Sequence, residues 1–345
     1  MWTWQLLPPR TPLSSLSAVP STHLEIDAMR RLVLKVAALA FSAALVGACG
    51  GSDDDPGTLA EVAQENGFTA LIAAAQRAGL DDELAAATTN ATVFAPTNAA
   101  FASLATQLGF ADASAMVNAL PPQALASILS YHLLPAPRTA ADLAAGGATQ
   151  ATAYSFGGSA ATLGISTTNG VRVTDAALTQ ANVTSANVEA SNGLIHVIDK
   201  VLVPPGVLTV VQMAQVNPAF TSLVGAVVQA GLADDLSQAG PFTVFAPTND
   251  AFAAIASTVA GLSNAQLQTV LTYHVVGAQV LSSDISFGAP VTTLSGQTFT
   301  INAGTPPQIA RITDTTATPA GIVAVDVRAS NGVIHVVDKV LLPAL

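Results

Sequence analysis

An internal duplication of domain length constrains this chain more than any other feature. Residues 92–101 (Thr-Val-Phe-Ala-Pro-Thr-Asn-Ala-Ala-Phe) return at residues 243–252 as Thr-Val-Phe-Ala-Pro-Thr-Asn-Asp-Ala-Phe. The pair Tyr131 and His132 returns as Tyr273 and His274. Residues 190–202 (Ala-Ser-Asn-Gly-Leu-Ile-His-Val-Ile-Asp-Lys-Val-Leu) return at 329–341 with only two aliphatic exchanges. The offset shrinks from 151 (92 to 243) through 142 (131 to 273) to 139 (191 to 330), so the second copy joins the same boxes by shorter connections. Solenoid repeats recur every 20 to 50 residues or so. A period this long is a tandem pair of domains, which suits 345 residues at roughly 150 per domain.

Each box predicts a local structure. Thr-Val-Phe is a short β-type run, and the residue before proline is forced extended. Thr97-Asn98 and Thr248-Asn249 then offer side chains that cap a helix start, with Phe101 and Phe252 on its first turns. Leu125, Ile128, Leu129 and His132 share one helical face, as do Leu267, Val270, Leu271 and His274. Both histidines are therefore expected in the core as hydrogen-bonded residues, not as ligands or catalysts. Asn192-Gly193 and Asn331-Gly332 carry the two-residue hairpin signal. The β-branched runs after them, 194–203 and 333–342, are predicted as strands near the sheet centre. His196 and His335 alternate there with apolar residues, and Asp199 and Asp338 are expected as local hydrogen-bond acceptors. Helices thus fill the first half of each copy and strands the second.

The N-terminal part has another logic. A basic stretch from Met29 to Lys35 is followed by an apolar run at 36–46 and by Val46-Gly47-Ala48-Cys49. A basic start, a short apolar middle and small residues at the exit describe a secretory signal, and the run is too short to span a bilayer. Its last four residues resemble a bacterial lipobox, with Val where Leu is commoner. That resemblance implies acylation of Cys49 as the mature N-terminus, and several acyl chains anchor durably where one does not. Gly50 after the cysteine favours the outer membrane by the same resemblance. Residues 1–28 fit none of this and are read as a non-native extension. The expected domains are therefore 1–28 extension, 29–48 signal peptide, 49–57 acidic tether, 58–204 first repeat and 206–345 second repeat. Few contacts are expected across Pro204-Pro205-Gly206, with each repeat folding alone.

The repeated boxes resemble the two signatures of the fasciclin family, with Tyr-His between them. The resemblance covers about residues 57–345. It implies an α+β fold of two tandem fasciclin-like domains, each a twisted β-sandwich or wedge with helices packed along one side. It also implies adhesion: in animal relatives the Tyr-His region and an Asp-Ile element have been implicated. The matching positions are Tyr131, His132 and Asp142 (followed by Leu143) in the first copy, and Tyr273, His274, Asp284 and Ile285 in the second.

Other chemistry finds little support. The net charge is −11 and no basic cluster lies beyond the leader, which disfavours nucleic acid. Cys49 is the sole cysteine, so no internal disulfide can form. Four histidines follow it, none in His-x-x-x-His spacing, and no Walker loop, Gly-x-Ser-x-Gly elbow or dinucleotide turn occurs. No enzyme activity, metal or cofactor is expected. Asp81-Asp82-Glu83 and Asp234-Asp235 are read as solvated acidic turns. Two function classes remain: an adhesion module contacting protein or glycan at a cell surface or matrix, or a binding protein for a small apolar ligand or glycan in a domain cleft.

Overall fold

A computed structural model describes residues 56–86, 90–168 and 170–345. The expectations for the extension, the signal, Cys49 and most of the tether lie outside the described residues.

The first repeat opens with helices α1 (Leu59–Glu65), α2 (Thr69–Ala78) and α3 (Asp81–Ala85), then strand β1 (Ala91–Pro96). Helices α4 (Asn98–Gln107), α5 (Ala113–Ala119) and α6 (Pro122–Tyr131) follow, then β2 (Leu133–Leu134) and α7 (Ala140–Ala145). Strands β3 (Thr149–Phe156), β4 (Ser159–Ser166), β5 (Arg172–Thr174), β6 (Gln180–Ala190) and β7 (Gly193–Ile198) complete it. The second repeat gives α8 (Val210–Val216), α9 (Thr221–Gln229), α10 (Ala233–Ser237), β8 (Phe242–Pro247), α11 (Asn249–Ala253), α12 (Ala256–Ala260) and α13 (Asn264–Tyr273). Then come β9 (Val275–Val276), β10 (Pro290–Thr292), β11 (Thr298–Ala303), β12 (Ala310–Thr313), β13 (Ala320–Ala329) and β14 (Gly332–Val337). Asp81-Asp82-Glu83 and Asp234-Asp235 are thus first turns of five-residue helices and not the loop turns expected; carboxylates suit that end of the helix dipole.

Each repeat builds one seven-stranded sheet, ordered β2-β1-β7-β6-β5-β4-β3 and β10-β11-β12-β13-β14-β8-β9. The boxes form its middle: β1 runs parallel to β7 and β8 parallel to β14, all other pairs being antiparallel. In the first repeat the sheet curls until β2 meets β3, giving the wedge expected. Strand β1 is buried on both faces, as a central parallel strand should be. Val93 and Ala95 join the cluster under the helices, while Phe94 points into the curl beside Tyr131, Leu143 and Ile198. In the second repeat Val244 and Ala246 face the helices, and Phe245 enters the curl with Tyr273, Phe299 and Leu341.

Two local expectations are corrected. The central strands stop at Ile198 and Val337 and do not run to 203 or 342, because Asp199 and Asp338 turn aside to bond neighbouring backbone and amides. The hairpin turns are Ser191–Asn192 and Ser330–Asn331, not Asn-Gly. Gly193 and Gly332 already sit in the strands, and the parallel partner explains them. A Cβ on Gly193 would lie 2.3 Å from the Ala91 carbonyl oxygen, and one on Gly332 2.2 Å from that of Phe242.

The linker also differs from expectation. One apolar cluster runs unbroken from Leu59 to Val340, joining Ala177, Val201 and Val203 of the first repeat to Leu208, Met213 and Val216 of the second. The buried Asn217 side chain donates to the Ala177 carbonyl at 2.8 Å, and α8 packs on α4.

Candidate functional site

Tyr131 and Tyr273 end helices α6 and α13, and His132 and His274 cap them. All four are buried. The tyrosine hydroxyls donate to the carbonyls of Thr162 and Thr298, each at 2.9 Å. Burial and the nearby Asp175 charge push the Tyr131 hydroxyl up; burial and Asp314 push Tyr273 up to about 12.

The imidazoles are fully committed. The Leu202 amide donates to His132 Nε2 at 2.9 Å, so Nδ1 carries the proton and donates to the Ile128 carbonyl at 2.7 Å. His274 repeats this with Leu341 (2.8 Å) and Val270 (2.8 Å). Burial away from water holds both rings down, to about 4, so they are neutral at pH 7. A neutral ring with both nitrogens engaged has nothing left for a substrate, metal or partner.

His196 and His335 take the opposite tautomer. The amides of Asn187 (3.2 Å) and Asp326 (3.4 Å) donate to Nδ1, leaving Nε2–H to donate to the carbonyls of Arg138 (2.8 Å) and Val280 (2.9 Å). Burial lowers both pKa values. Asn187 and Asp326 occupy bulges of β6 and β13 with φ of 57° and 60°, a conformation that Asn and Asp tolerate better than other side chains. Their side chains accept from the amides of Ala140 (2.8 Å) and Ser282 (2.9 Å). Each histidine and its bulge thus pin the segment that carries Asp142 or Asp284.

Those two aspartates differ. Asp142 is exposed but closes a capping box, accepting from the Thr139 hydroxyl (2.7 Å) and amide (2.9 Å), bonds that lower its pKa. Leu143 beside it is sealed in the core. Asp284 is exposed in a short 3-10 turn (Ser282–Asp284), where its neighbour's Ser283 hydroxyl donates to it at 3.1 Å, and Ile285 is half-buried.

The signature residues act on the scaffold. Thr97 and Thr248 cap α4 and α11. Asn98 and Asn249 reach across instead, accepting from Ala70 (3.0 Å) and Ser222 (2.9 Å) at the starts of α2 and α9. Asp199 accepts from the Asn182 amide and side chain, both at 2.7 Å; Asp338 accepts from Gly321 (2.6 Å) and Gln308 (2.9 Å).

The structure adds two buried carboxylates to those the sequence singles out. Asp175 and Asp314 have fully buried side chains, paired with Lys200 (2.8 Å) and Lys339 (3.3 Å). They also accept from the amides of Val203 (3.0 Å) and Leu342 (2.9 Å). Burial works against the Asp314 charge, but bonds from Thr316 and Leu342 and the Lys339 charge hold its pKa below the usual range. A signal was available: Arg172-Val173-Thr174-Asp175 repeats as Arg311-Ile312-Thr313-Asp314 at the same 139-residue offset as the last box (175 to 314). Among the described residues no group of three or more His, Cys, Asp or Glu side chains could hold a metal ion.

The fasciclin-domain family model matches residues 66–204 and 218–343, and the chain belongs to the fasciclin family. It is 42% identical over 145 residues to Protein sll1483 of Synechocystis sp., covering 40% of this chain and 75% of that one. It is 31% identical over 170 residues to human periostin, covering 47% of this chain and 19% of periostin. Among solved structures it resembles a FAS1 domain pair from the insect cell adhesion molecule Fasciclin I, with a TM-score of 0.42, 18% identity, and coverage of 82% of this chain and 95% of that one.

Proposed function

We propose that this chain is a non-enzymatic adhesion protein, exported and held in the cell envelope by a lipid on Cys49, which contacts a protein or glycan of a cell surface or matrix. Family membership supports an adhesion-type role. Asp284 carries the finer reading: an exposed carboxylate on a backbone pinned by His335 and Asp326, while Tyr273 and His274 behind it are buried with their polar atoms engaged. A pinned loop loses little entropy on binding. In this reading Tyr131, His132, Tyr273 and His274 shape the surface and Asp284 touches the partner, with Asp142 a lesser contact because its cap occupies it.

The test is solid-phase binding of the purified chain to surfaces coated with collagen, fibronectin or heparin, beside urea unfolding. Asp284→Ala should weaken binding at an unchanged midpoint, whereas His274→Ala should weaken it only in proportion to unfolding. Loss of binding by His274→Ala at an unchanged midpoint refutes the assignment. The anchor is tested separately: Cys49→Ser should move the protein from the membrane to the soluble fraction after a high-salt wash.

Among the described residues no helix is long and apolar enough to cross a membrane.

A further inference from the structure

We propose that the helical side of the second domain carries a binding pocket for the hydrocarbon chain of a neutral single-chain lipid. The pocket opens between α8 and α9. Val211, Val224 and Val228 line it near the surface, and the buried Val244, Leu271 and His274 line its deep side. Val228 is 61% exposed, although an isolated valine gains by burial.

The wall chemistry selects the ligand. Every lining side chain is aliphatic except His274, whose two ring nitrogens are already bonded to Val270 and Leu341. A sugar would bury hydroxyls without side-chain partners, at a cost that excludes a glycan. The cavity is open to solvent and its volume is about 40 Å³. That is room for a few waters and far below the ~150 Å³ that holds benzene. It therefore takes the end of a chain, with the rest lying along the valine mouth.

Charge selects the head. The chain carries a net −11, and no lysine or arginine lines the pocket. Leu236 on its wall belongs to α10, whose Asp234 and Asp235 are exposed. An anionic carboxylate would be repelled there, and an uncharged head would not.

The repeat supplies a contrast. Aligned on the capping threonines Thr58 and Thr209, Val211 corresponds to Ala60. Aligned on Ala78-Gly79-Leu80 and Ala230-Gly231-Leu232, Val224 and Val228 correspond to Ile72 and Gln76. The first domain therefore has a small residue and an amide where the second has two valines of the mouth.

This site is independent of the adhesion reading and is tested without a partner. The purified full chain is titrated with N-phenyl-1-naphthylamine, and the bound dye is displaced with 1-dodecanol, dodecanoate or maltose at pH 8. Dodecanol should displace at least about tenfold better than dodecanoate, and maltose should not displace. Val228→Gln, at an exposed position that folding tolerates, should weaken dodecanol displacement about tenfold; Ala214→Leu should abolish it by filling the pocket. Gln76→Val, in the first domain, should change nothing. Dye bound elsewhere on the chain is common to all variants and cancels. If Val228→Gln competes as the parent does, the pocket is not the site. Equal competition by dodecanoate overturns the assignment of a neutral head.

Discussion

Mild acid should destabilise this protein through His132 and His274 before its carboxylates titrate. In the folded state burial holds both rings to about 4, against an ordinary value of 6.5. Because the folded pKa lies below the unfolded one, the unfolded chain takes up protons first as pH falls. Stability is then full above about pH 6.5 and declines toward pH 4. The slope is half its limit at pH 6.5 and approaches about 1.4 kcal/mol per pH unit for each histidine below that, so between pH 6.5 and 5 the pair removes roughly 3 kcal/mol. That is a large part of a typical 5–15 kcal/mol stability. The geometry explains why the rings cannot adapt: a second proton on Nε2 would point at the N–H of Leu202 or Leu341, whose nitrogens lie only 2.9 and 2.8 Å from Nε2. The assay is urea unfolding at half-unit steps from pH 7.5 to 4.5 on the parent and on His274→Ala. At pH 7 the variant should lose about 1–3 kcal/mol, from the cavity and from the unpaired Leu341 amide and Val270 carbonyl. Below pH 6.5 its curve should be shallower by one histidine's share, so that the two curves converge. His196 and His335 add slope of the same sign in both proteins. Parallel curves for parent and variant between pH 6.5 and 5 would refute the reasoning.

Other perturbations separate scaffold from surface. Asp314→Ala leaves Lys339 without its buried partner and the Leu342 amide unpaired, and should cost about 3–5 kcal/mol by denaturant unfolding. Asp284→Ala, on the surface, should stay within about 0.5 kcal/mol in the same assay. Gly332→Ala should cost more than about 2 kcal/mol, or abolish soluble expression, because the new methyl meets the Phe242 carbonyl. Fragments 57–204 and 206–345 should each fold, yet each should melt below the intact chain, because separation uncovers the apolar surface around Ala177 and Val216. Melting of both fragments at the parent temperature would show that the shared cluster stabilises nothing.

The sequence by itself determined the duplication, the capped helix after Thr97 and Thr248, the Tyr-His helix ends and the strand nature of the last box. These follow from short-range rules: β-branched runs, side-chain caps, 3.6-residue periodicity. The burial of His132 and His274 was legible for the same reason, since i, i+3, i+4, i+7 spacing places them on an apolar face. The tertiary structure alone decided what those residues touch. Gly193 and Gly332 looked like turn glycines because Asn-Gly is a turn signal, but a parallel strand more than 80 residues away in sequence dictates them. Asp175 and Asp314 sit in unremarkable Thr-Asp dipeptides, and only the fold delivers a lysine from the last box and the chain amide just after it to compensate them. The linker reads as a break because proline and glycine interrupt both periodicities. Apolar faces that each repeat leaves uncovered meet behind it, and local pattern carries no information about which distant face will cover them.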